Sequence, residues 1–182
     1  DMYGGGSNLN SYNRYYQNSL NRNYIGVYVF DDTSGFIFKN NIFYNQRNYE
    51  IRAINGGQMH SFINNNVKGA RIVNGSNLWQ ANLSLDPLFV DEANRDLYLQ
   101  PTSPMIDAGA FLTKTVNPGT GTSMQVEDAR YFMDGWGIIE GDLIQLQGQT
   151  QTARITSINY TTNTLTLDTS LTWANGVGVS LP

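Results

Sequence analysis

The chain carries two different patterns of hydrophobic and polar residues, and the change between them falls near residue 110. In the second part, apolar and polar side chains alternate over three runs: Leu143 to Gln147, Ala153 to Tyr160 and Thr164 to Asp168. Alternation with a period of two residues is typical of β-strands that bury one face. Because turn-forming residues such as Thr161-Thr162-Asn163 separate the runs, we predict a small antiparallel β-barrel or sandwich over residues 111–182.

The first part contains short apolar runs that recur after asparagine. Asn41, Asn66 and Asn82 each precede a β-compatible apolar residue, at intervals of 25 and 16 residues. A repeat of unequal length indicates a solenoid whose coils share short strands and differ in their loops. Asparagine tolerates left-handed turns and its amide both donates and accepts, so copies stacked about 4.8 Å apart can form a ladder. We predict that these three side chains face the coil interior, with Asn18 as a candidate for an earlier coil.

A second set of short strands fits the same stacking: Val27-Tyr28-Val29, Glu50-Ile51-Arg52 and Arg71-Ile72-Val73. If Val27, Ile51 and Ile72 face inward, their neighbours form an outward face. This register places Tyr28, Arg52 and Val73 in one outward column and Glu50 beside Arg71 in another.

This face has the composition of a polysaccharide-binding surface. Hydroxyl groups of sugars bond to charged side chains, sugar rings pack on aromatic side chains, and an acidic polymer would add groups that suit arginine. The predicted substrate-binding residues are Tyr28, Glu50, Arg52 and Arg71. The alternative is a solvated face with an ion pair between Glu50 and Arg71 on adjacent coils.

Residues 86–109 hold proline, aspartate and glycine in the pattern D-P-x-F…D-x-x-L…S-P-x-I-D-x-G. Proline pushes the preceding residue towards extended or turn conformations, and Asp107-Ala108-Gly109 is typical of a turn. The pattern resembles the C-terminal segment of right-handed parallel β-helix proteins of the pectate-lyase-like kind. The resemblance implies an all-β chain with a short right-handed parallel β-helix of about three to four coils over residues 1–110. Because the chain has room for so few coils, we expect the C-terminal portion of a longer solenoid or a small gene product derived from one. A partner chain, self-association or a missing segment would cover its open end.

The sequence VEDARYF, followed by GIIEGDLIQLQGQTQTARITSINYTTNTLTLDTSL, spans most of the second part. It resembles small β-barrel modules that are appended to, or inserted in, secreted and phage adhesion proteins. We expect a helical turn at residues 128–132 that plugs one end of the barrel. Trp136 and Trp173 either pack in this unit or form a carbohydrate platform, and a lone tryptophan near a glycine turn favours packing.

The composition and charge of the chain exclude several kinds of site and partner. The absence of cysteine excludes disulfides, thiolate catalysis and cysteine-bound metal sites. Residues 1–85 carry seven Lys/Arg and four Asp/Glu, and residues 86–182 carry four and eleven, which gives net charges of +3 and −7. The overall acidity argues against a nucleic-acid partner, and no apolar run is long enough to predict membrane insertion. We expect an extracellular protein, or one on a cell or virion surface.

Candidate catalytic chemistry is sparse. The resemblance implies that an active member would cleave acidic polysaccharides by β-elimination, with side chains of suitable type at Lys39, Arg52, His60, Lys68 and Arg71. None of them lies in a motif of a particular lyase family. His60 is the only histidine, and we predict that it lies in a turn. Asp31-Asp32 is typical of a turn rather than of a glycosidase carboxylate pair. We assign no catalytic residue; an active protein would be a polysaccharide lyase or a glycoside hydrolase.

Metal binding is left with two interpretations. Asp86, Asp91, Asp96 and Asp107 either close the turns of a coil or supply ligands to calcium, although their spacing differs from a helix-loop-helix calcium loop. We assign no metal site and no cofactor. The sequence predicts a carbohydrate-associated protein that binds a polysaccharide or forms part of a polysaccharide-processing protein. The alternative is a non-enzymatic structural or adhesion module of a tail spike, surface layer or filament.

Overall fold

The structure is a computed structural model that describes residues 2–4, 13–30, 35–54 and 59–182, apart from the side chains of residues 2–4 and 30. The chain divides into two compact units, residues 1–110 and 111–182. Both units are built from β-strands, and the described helical segments are short 3-10 turns. The turn predicted at Asp31-Asp32 lies outside the described residues.

The first unit is a short parallel β-helix. Its strands follow one another as β1 (Met2–Gly4); β2 (Arg14–Tyr16), β3 (Ser19–Asn21) and β4 (Ile25–Phe30); β5 (Ile37–Lys39), β6 (Ile42–Tyr44) and β7 (Tyr49–Ile54); β8 (Ser61–Ile63), β9 (Asn66–Lys68) and β10 (Arg71–Val73); and β11 (Leu78–Gln80). They pair in three parallel stacks: a first stack of β2, β5, β8 and β11, a second of β3, β6 and β9, and a third of β1, β4, β7 and β10. The predicted stacking of short strands in successive coils is confirmed.

Stacked rings fill part of the coil interior. The ring centroids of Tyr15 and Phe38 lie 5.0 Å apart, and those of Phe38 and Phe62 lie 4.9 Å apart, with nearly parallel planes. Val27 and Ile51 are buried in the third stack, as predicted. Because each strand of the first stack contributes an aromatic side chain at its middle position, this part of the core is continuous along the stack.

The third coil differs from the predicted register by one residue. Arg71, rather than Ile72, pairs with Ile51 at the inward position. The outward column therefore runs from Arg52 to Ile72, and Val73 packs on the core. The connection into the third stack has two residues in this coil and four in the preceding one, so similarity between the strand sequences does not give their alignment.

A closing segment follows the coils. Strands β12 (Phe89–Asp91) and β13 (Asp96–Leu99) form an antiparallel pair around a 3-10 turn, Glu92–Asn94. Beyond them, the buried Ser103 hydroxyl donates to the carbonyl of Pro87 at 2.6 Å and accepts from the N–H of Met105 at 3.1 Å. The residues of the sequence pattern in 86–109 thus form the turns that close this unit.

The second unit is an antiparallel sheet. Its strands are β14 (Thr113–Lys114), β15 (Gly119–Gln125), β16 (Leu143–Leu146), β17 (Thr152–Asn159), β18 (Thr164–Trp173) and β19 (Gly178–Ser180). They lie in the order β14-β19-β16-β17-β18-β15. The two outer strands also meet, because Val116 N donates to Gln125 O at 2.8 Å and Glu127 N donates to Lys114 O at 2.9 Å. The sheet therefore curls closed, which confirms the small antiparallel β domain.

The core of this unit is apolar. Its fully buried side chains include those of Met124, Ile144, Leu146, Ile155, Leu165 and Leu171. A 3-10 turn, Ala129–Tyr131, buries both of its end residues and confirms the helical turn expected at residues 128–132. Trp173 packs over Gly119, where an added Cβ would lie 2.7 Å from the indole ring.

Candidate functional site

An asparagine ladder runs along the corner between the first and second stacks. Asn18 Nδ2 donates to Asn41 Oδ1 at 3.0 Å. Asn41 Nδ2 donates to Asn65 Oδ1, and Asn65 Nδ2 donates to Asn82 Oδ1, both at 2.9 Å. Each acceptor oxygen also takes the backbone N–H of the preceding rung. The ladder confirms the prediction for Asn41 and Asn82 and extends it to Asn18.

The rung predicted at Asn66 is wrong, because Asn65 occupies that position. Asn66 is instead the first residue of β9 and pairs with Ile42. Its buried Nδ2 donates to Leu85 O, and its Oδ1 accepts from Leu85 N, both at 2.9 Å. Asn66 therefore anchors the start of the closing segment, while its neighbour links the coils.

Each ladder asparagine follows a residue with a left-handed backbone. The φ angle is 54° at Gln17, 56° at Asn40, 52° at Asn64 and 52° at Ala81. This conformation turns the chain between two strands that lie in different stacks. The side chains of Gln17, Asn40 and Asn64 line a cleft beside the ladder.

The cleft has a volume of about 290 Å³ and lies between this corner and the closing segment. Amide side chains line it: Gln17, Asn18, Asn40, Asn41, Asn64 and Asn66. Apolar side chains complete it: Ile42, Leu83, Leu99 and Met105. Asn40 fixes one wall, because its Nδ2 donates to Ala110 O at 2.7 Å and its Oδ1 accepts from Ala110 N at 3.0 Å.

Gln17 and Asn64 are the two amides of the cleft whose side-chain oxygen and nitrogen are both available. Neither side chain has a hydrogen-bond partner among the described residues, whereas the amides of the ladder and of Asn40 and Asn66 are engaged. Two coil steps separate Gln17 from Asn64, so the two amides are about 10 Å apart along the stacks. None of the lining residues is acidic or basic. The cleft thus offers hydrogen-bond donors and acceptors but no acid–base pair.

The predicted binding face is brought together only in part. The Arg52 guanidinium lies over the Tyr28 ring, with Cζ 4.9 Å from the ring centroid, and 5.8 Å from that of Tyr49. The Nε atom of Arg52 is buried and has no hydrogen-bond partner among the described residues. These contacts place Tyr28 and Arg52 together, as their shared column requires.

Glu50 is buried, with 3% of its surface exposed, and is not part of an outward face. Its Oε1 accepts from the backbone N–H of Gln46 at 3.3 Å, and Gly69 leaves the space that the carboxyl group fills. Burial raises the pKa of Glu50, against the opposing effect of hydrogen bonds from Gln46 and Asn45. The side chain closes the corner between the second and third stacks and supports the coil.

Arg71 does not pair with Glu50. Its guanidinium lies over the Trp79 ring, with Cζ 4.8 Å from the centroid. Trp79 is the last ring of the stacked column, 5.6 Å from Phe62. Arg71 therefore covers the end of the apolar column, where the stem and the flat guanidinium shield the indole from water.

His60, for which a turn was predicted, is buried and lies directly before β8. Its Nδ1 accepts from the backbone N–H of Phe36 at 3.3 Å, and its ring packs on the Phe36 ring at 5.2 Å. Burial lowers the pKa of His60. Lys68 pairs with Asp86 at 3.4 Å. These contacts give His60 and Lys68 structural partners.

The aspartates of the closing segment bond to their own backbone. Asp86 Oδ1 accepts from Leu88 N at 3.0 Å, and this bond, with smaller effects of Tyr44 and Lys68, lowers the pKa of Asp86. Asp91 Oδ1 accepts from Asn94 N at 3.2 Å, and Asp96 Oδ1 accepts from Tyr98 N at 3.1 Å. Among the described residues, no group of three acidic, histidine or cysteine side chains could hold a metal ion.

The two tryptophans of the second unit have different environments. Trp173 is 7% exposed and packs in the core, whereas Trp136 is 68% exposed. The Trp136 backbone is left-handed, and Asp134 Oδ1 accepts from its N–H at 3.0 Å. Packing, the interpretation favoured from sequence, holds for Trp173 and is wrong for Trp136.

The amides of the cleft were not among the predicted site residues. The usable signal is the residue before each of the first three ladder asparagines, which takes the left-handed turn and lines the cleft. Within the described residues, no helix is long and apolar enough to cross a membrane. Comparison with protein-family models, with curated proteins and with solved structures finds no match to this chain.

Proposed function

We propose that the protein binds a polysaccharide and that the amide-lined cleft of the β-helix holds part of that polymer. The single observation that carries the proposal is the pair of available amides, Gln17 and Asn64, in a cleft with an apolar lining. A sugar presents hydroxyls that donate and accept, next to apolar C–H faces. Amides match both roles of a hydroxyl, and aliphatic side chains match the C–H faces.

The cleft favours binding over catalysis. Polysaccharide lyases need a base next to a neutralised carboxylate, and glycoside hydrolases need two carboxyl groups. No lining residue carries a titratable group. The resemblance of residues 86–109 to the closing segment of pectate-lyase-like β-helix proteins supports a polysaccharide as the partner. A role outside the cell or on a cell or virion surface follows from this partner and belongs to the same proposal.

Calorimetric titration with neutral and acidic oligosaccharides tests the proposal. Replacing both Gln17 and Asn64 with alanine removes two neutral hydrogen bonds, so we expect about tenfold to hundredfold weaker binding. Gln80→Ala is the matched control, because Gln80 is an exposed amide of the same unit outside the cleft. Equal affinity of the double variant and the wild type would refute the role of the cleft.

A second assay addresses catalysis. Incubation of the protein with acidic polysaccharides is expected to give no ultraviolet-absorbing unsaturated chain ends. Their appearance would show lyase activity and would place the chemistry elsewhere, since the cleft has no group able to remove a proton.

An adhesion module is the second candidate, and the tip of the second unit favours it. This tip comprises residues 136–139, where Trp136, Ile138 and Ile139 are 68%, 84% and 59% exposed. Exposed apolar groups this close together are typical of contact surfaces. Sedimentation velocity of the wild type and of Trp136→Ser tests whether the tip joins copies of the chain. A monomer in both cases would argue against self-assembly through this tip.

A further inference from the structure

Three arginines line one pocket of the first unit. Arg22, Arg47 and Arg95 border a space of about 430 Å³, together with Asn21 and Asn23. None of the residues that line this pocket is acidic. The pocket shares no lining residue with the amide-lined cleft, so its role goes beyond the proposed polysaccharide binding.

The fold brings these arginines together from three segments. Arg22 follows β3, and Arg47 lies in the corresponding connection one coil later, where its N–H donates to Asn23 O at 2.8 Å. Arg95 ends the 3-10 turn of the closing segment, with φ of 65°, and its N–H donates to Glu92 O at 3.2 Å. These backbone bonds fix the main chain at Arg47 and at Arg95.

The positive charge of this pocket is only partly neutralised. Glu92 Oε1 lies 3.4 Å from Arg22 Nε, and the same oxygen accepts from Asn21 Nδ2 at 2.9 Å. The guanidinium groups of Arg47 and Arg95 have no hydrogen-bond or ion-pair partner among the described residues. Three guanidinium charges against one carboxylate leave a surplus of two positive charges.

We propose that the pocket of Arg22, Arg47 and Arg95 binds a dianionic tetrahedral oxyanion, the group shared by sulfate and by phosphate monoesters. Guanidinium groups offer pairs of N–H donors that match the oxygens of such a group, and the charge of the anion equals the surplus of the pocket. Asn23 adds a side-chain amide that can donate to a remaining oxygen, whereas the Asn21 amide already donates to Glu92 Oε1 and to Tyr44 O. The anion is either free in solution or attached to a sugar.

Calorimetric titration of the whole chain with inorganic sulfate, inorganic phosphate and glucose 1-phosphate tests this site. Arg47→Gln and Arg95→Gln should each weaken binding of the anions at least about tenfold, because each removes a charge-assisted contact. Arg47→Lys, which keeps the charge but loses the fork, should weaken it less. Arg130→Gln is the control: it removes the same charge from an exposed arginine of the second unit and should leave the affinity unchanged.

The outcomes distinguish a specific anion site from attraction by the overall charge of the protein. Equal losses in Arg47→Gln and Arg130→Gln would reveal a general charge effect and overturn the site, as would the absence of binding by the wild type at low salt. Tighter binding of glucose 1-phosphate than of inorganic phosphate would identify a sugar-attached group, and equal binding would identify the free ion. The alanine variants of Gln17 and Asn64 should not affect anion binding, so failure of the polysaccharide proposal and failure of this one are distinguishable.

Discussion

The two units reach a β fold by different means. In the first unit the buried set includes Asn41, Glu50, His60, Asn65, Asn66 and Ser103, whereas the buried polar residues of the second unit are two threonines. Positive φ angles show the same contrast, since nine described non-glycine residues of the first unit and three of the second have them. Coils with different loops need corners that are held by side chains, whereas hairpins can be held by their strands alone. The first unit therefore combines an apolar core with buried polar side chains at its corners, whereas the second unit depends on a packed apolar core.

The largest loss of stability is expected when a side chain is removed from the apolar core of the second unit. Leu165 is fully buried in β18. Replacing it with alanine should destabilise the second unit by about 2–5 kcal/mol through lost burial and the cavity left behind. Hydrogen exchange followed by mass spectrometry would show faster exchange in residues 111–182. Unchanged exchange there would contradict the role of this core.

Removal of one rung tests the polar side of the contrast. Asn65→Ala removes the acceptor of two Asn41 donors and one of the two donors to Asn82 Oδ1, which should destabilise the first unit by about 1–3 kcal/mol. Denaturant unfolding measured by hydrogen exchange should show the change in residues 13–110. Asn74→Ala, at an exposed position between β10 and β11, is the matched control. Equal stability of the two variants would disprove the importance of the ladder.

Replacement of the buried Glu50 should raise stability, whereas the two substitutions above should lower it. Because burial raises the pKa of Glu50 above 4.5, the folded first unit loses stability as the pH rises from that value through the folded pKa. Glu50→Gln keeps an oxygen that can accept from Gln46 and removes the charge. It should therefore stabilise the first unit by about 1 kcal/mol at pH 7. A loss of stability at pH 7 would show that the carboxylate has a favourable partner.

The smallest expected effect is the titration of His60. Burial lowers its pKa below 6.5, so its contribution to stability is present above pH 6.5 and is lost as the pH falls towards the folded pKa. His60→Asn preserves an acceptor for Phe36 N and removes this titration. Denaturant midpoints of both proteins between pH 5 and 8 should diverge as the pH falls. Parallel curves would rule out His60 as the source.

The sequence predicts the parts of the fold that rest on local pattern. Alternation in the run from Leu143 onward marks strands whose partners are near in the chain. The ladder was recognisable from Asn41 and Asn82, but three consecutive asparagines at residues 64–66 leave the choice of rung open. Backbone conformation decides it, because the left-handed turn falls at Asn64.

The candidate site was less predictable because it depends on contacts that are distant in sequence. The cleft exists because residues 99–109 lie along the corner of the coils, with Asn40 bonded to Ala110. The arginine pocket depends in the same way on the position of Arg95 beside Arg22 and Arg47. Strand alternation predicts that Glu50 faces outward, but the small Gly69 leaves room for its carboxyl group in the corner.

The asparagine ladder has two unlike ends. Every side-chain amide from Asn18 to Asn65 donates towards the later coil, so the amide dipoles add in one direction and polarise one another. Among the described residues no donor reaches Asn18 Oδ1, and Asn82 Nδ2 has one N–H beyond its bond to Phe62 O. One end of the row thus accepts and the other donates. Two such rows could be joined head to tail with every bond retained, whereas head-to-head contact would set acceptor against acceptor.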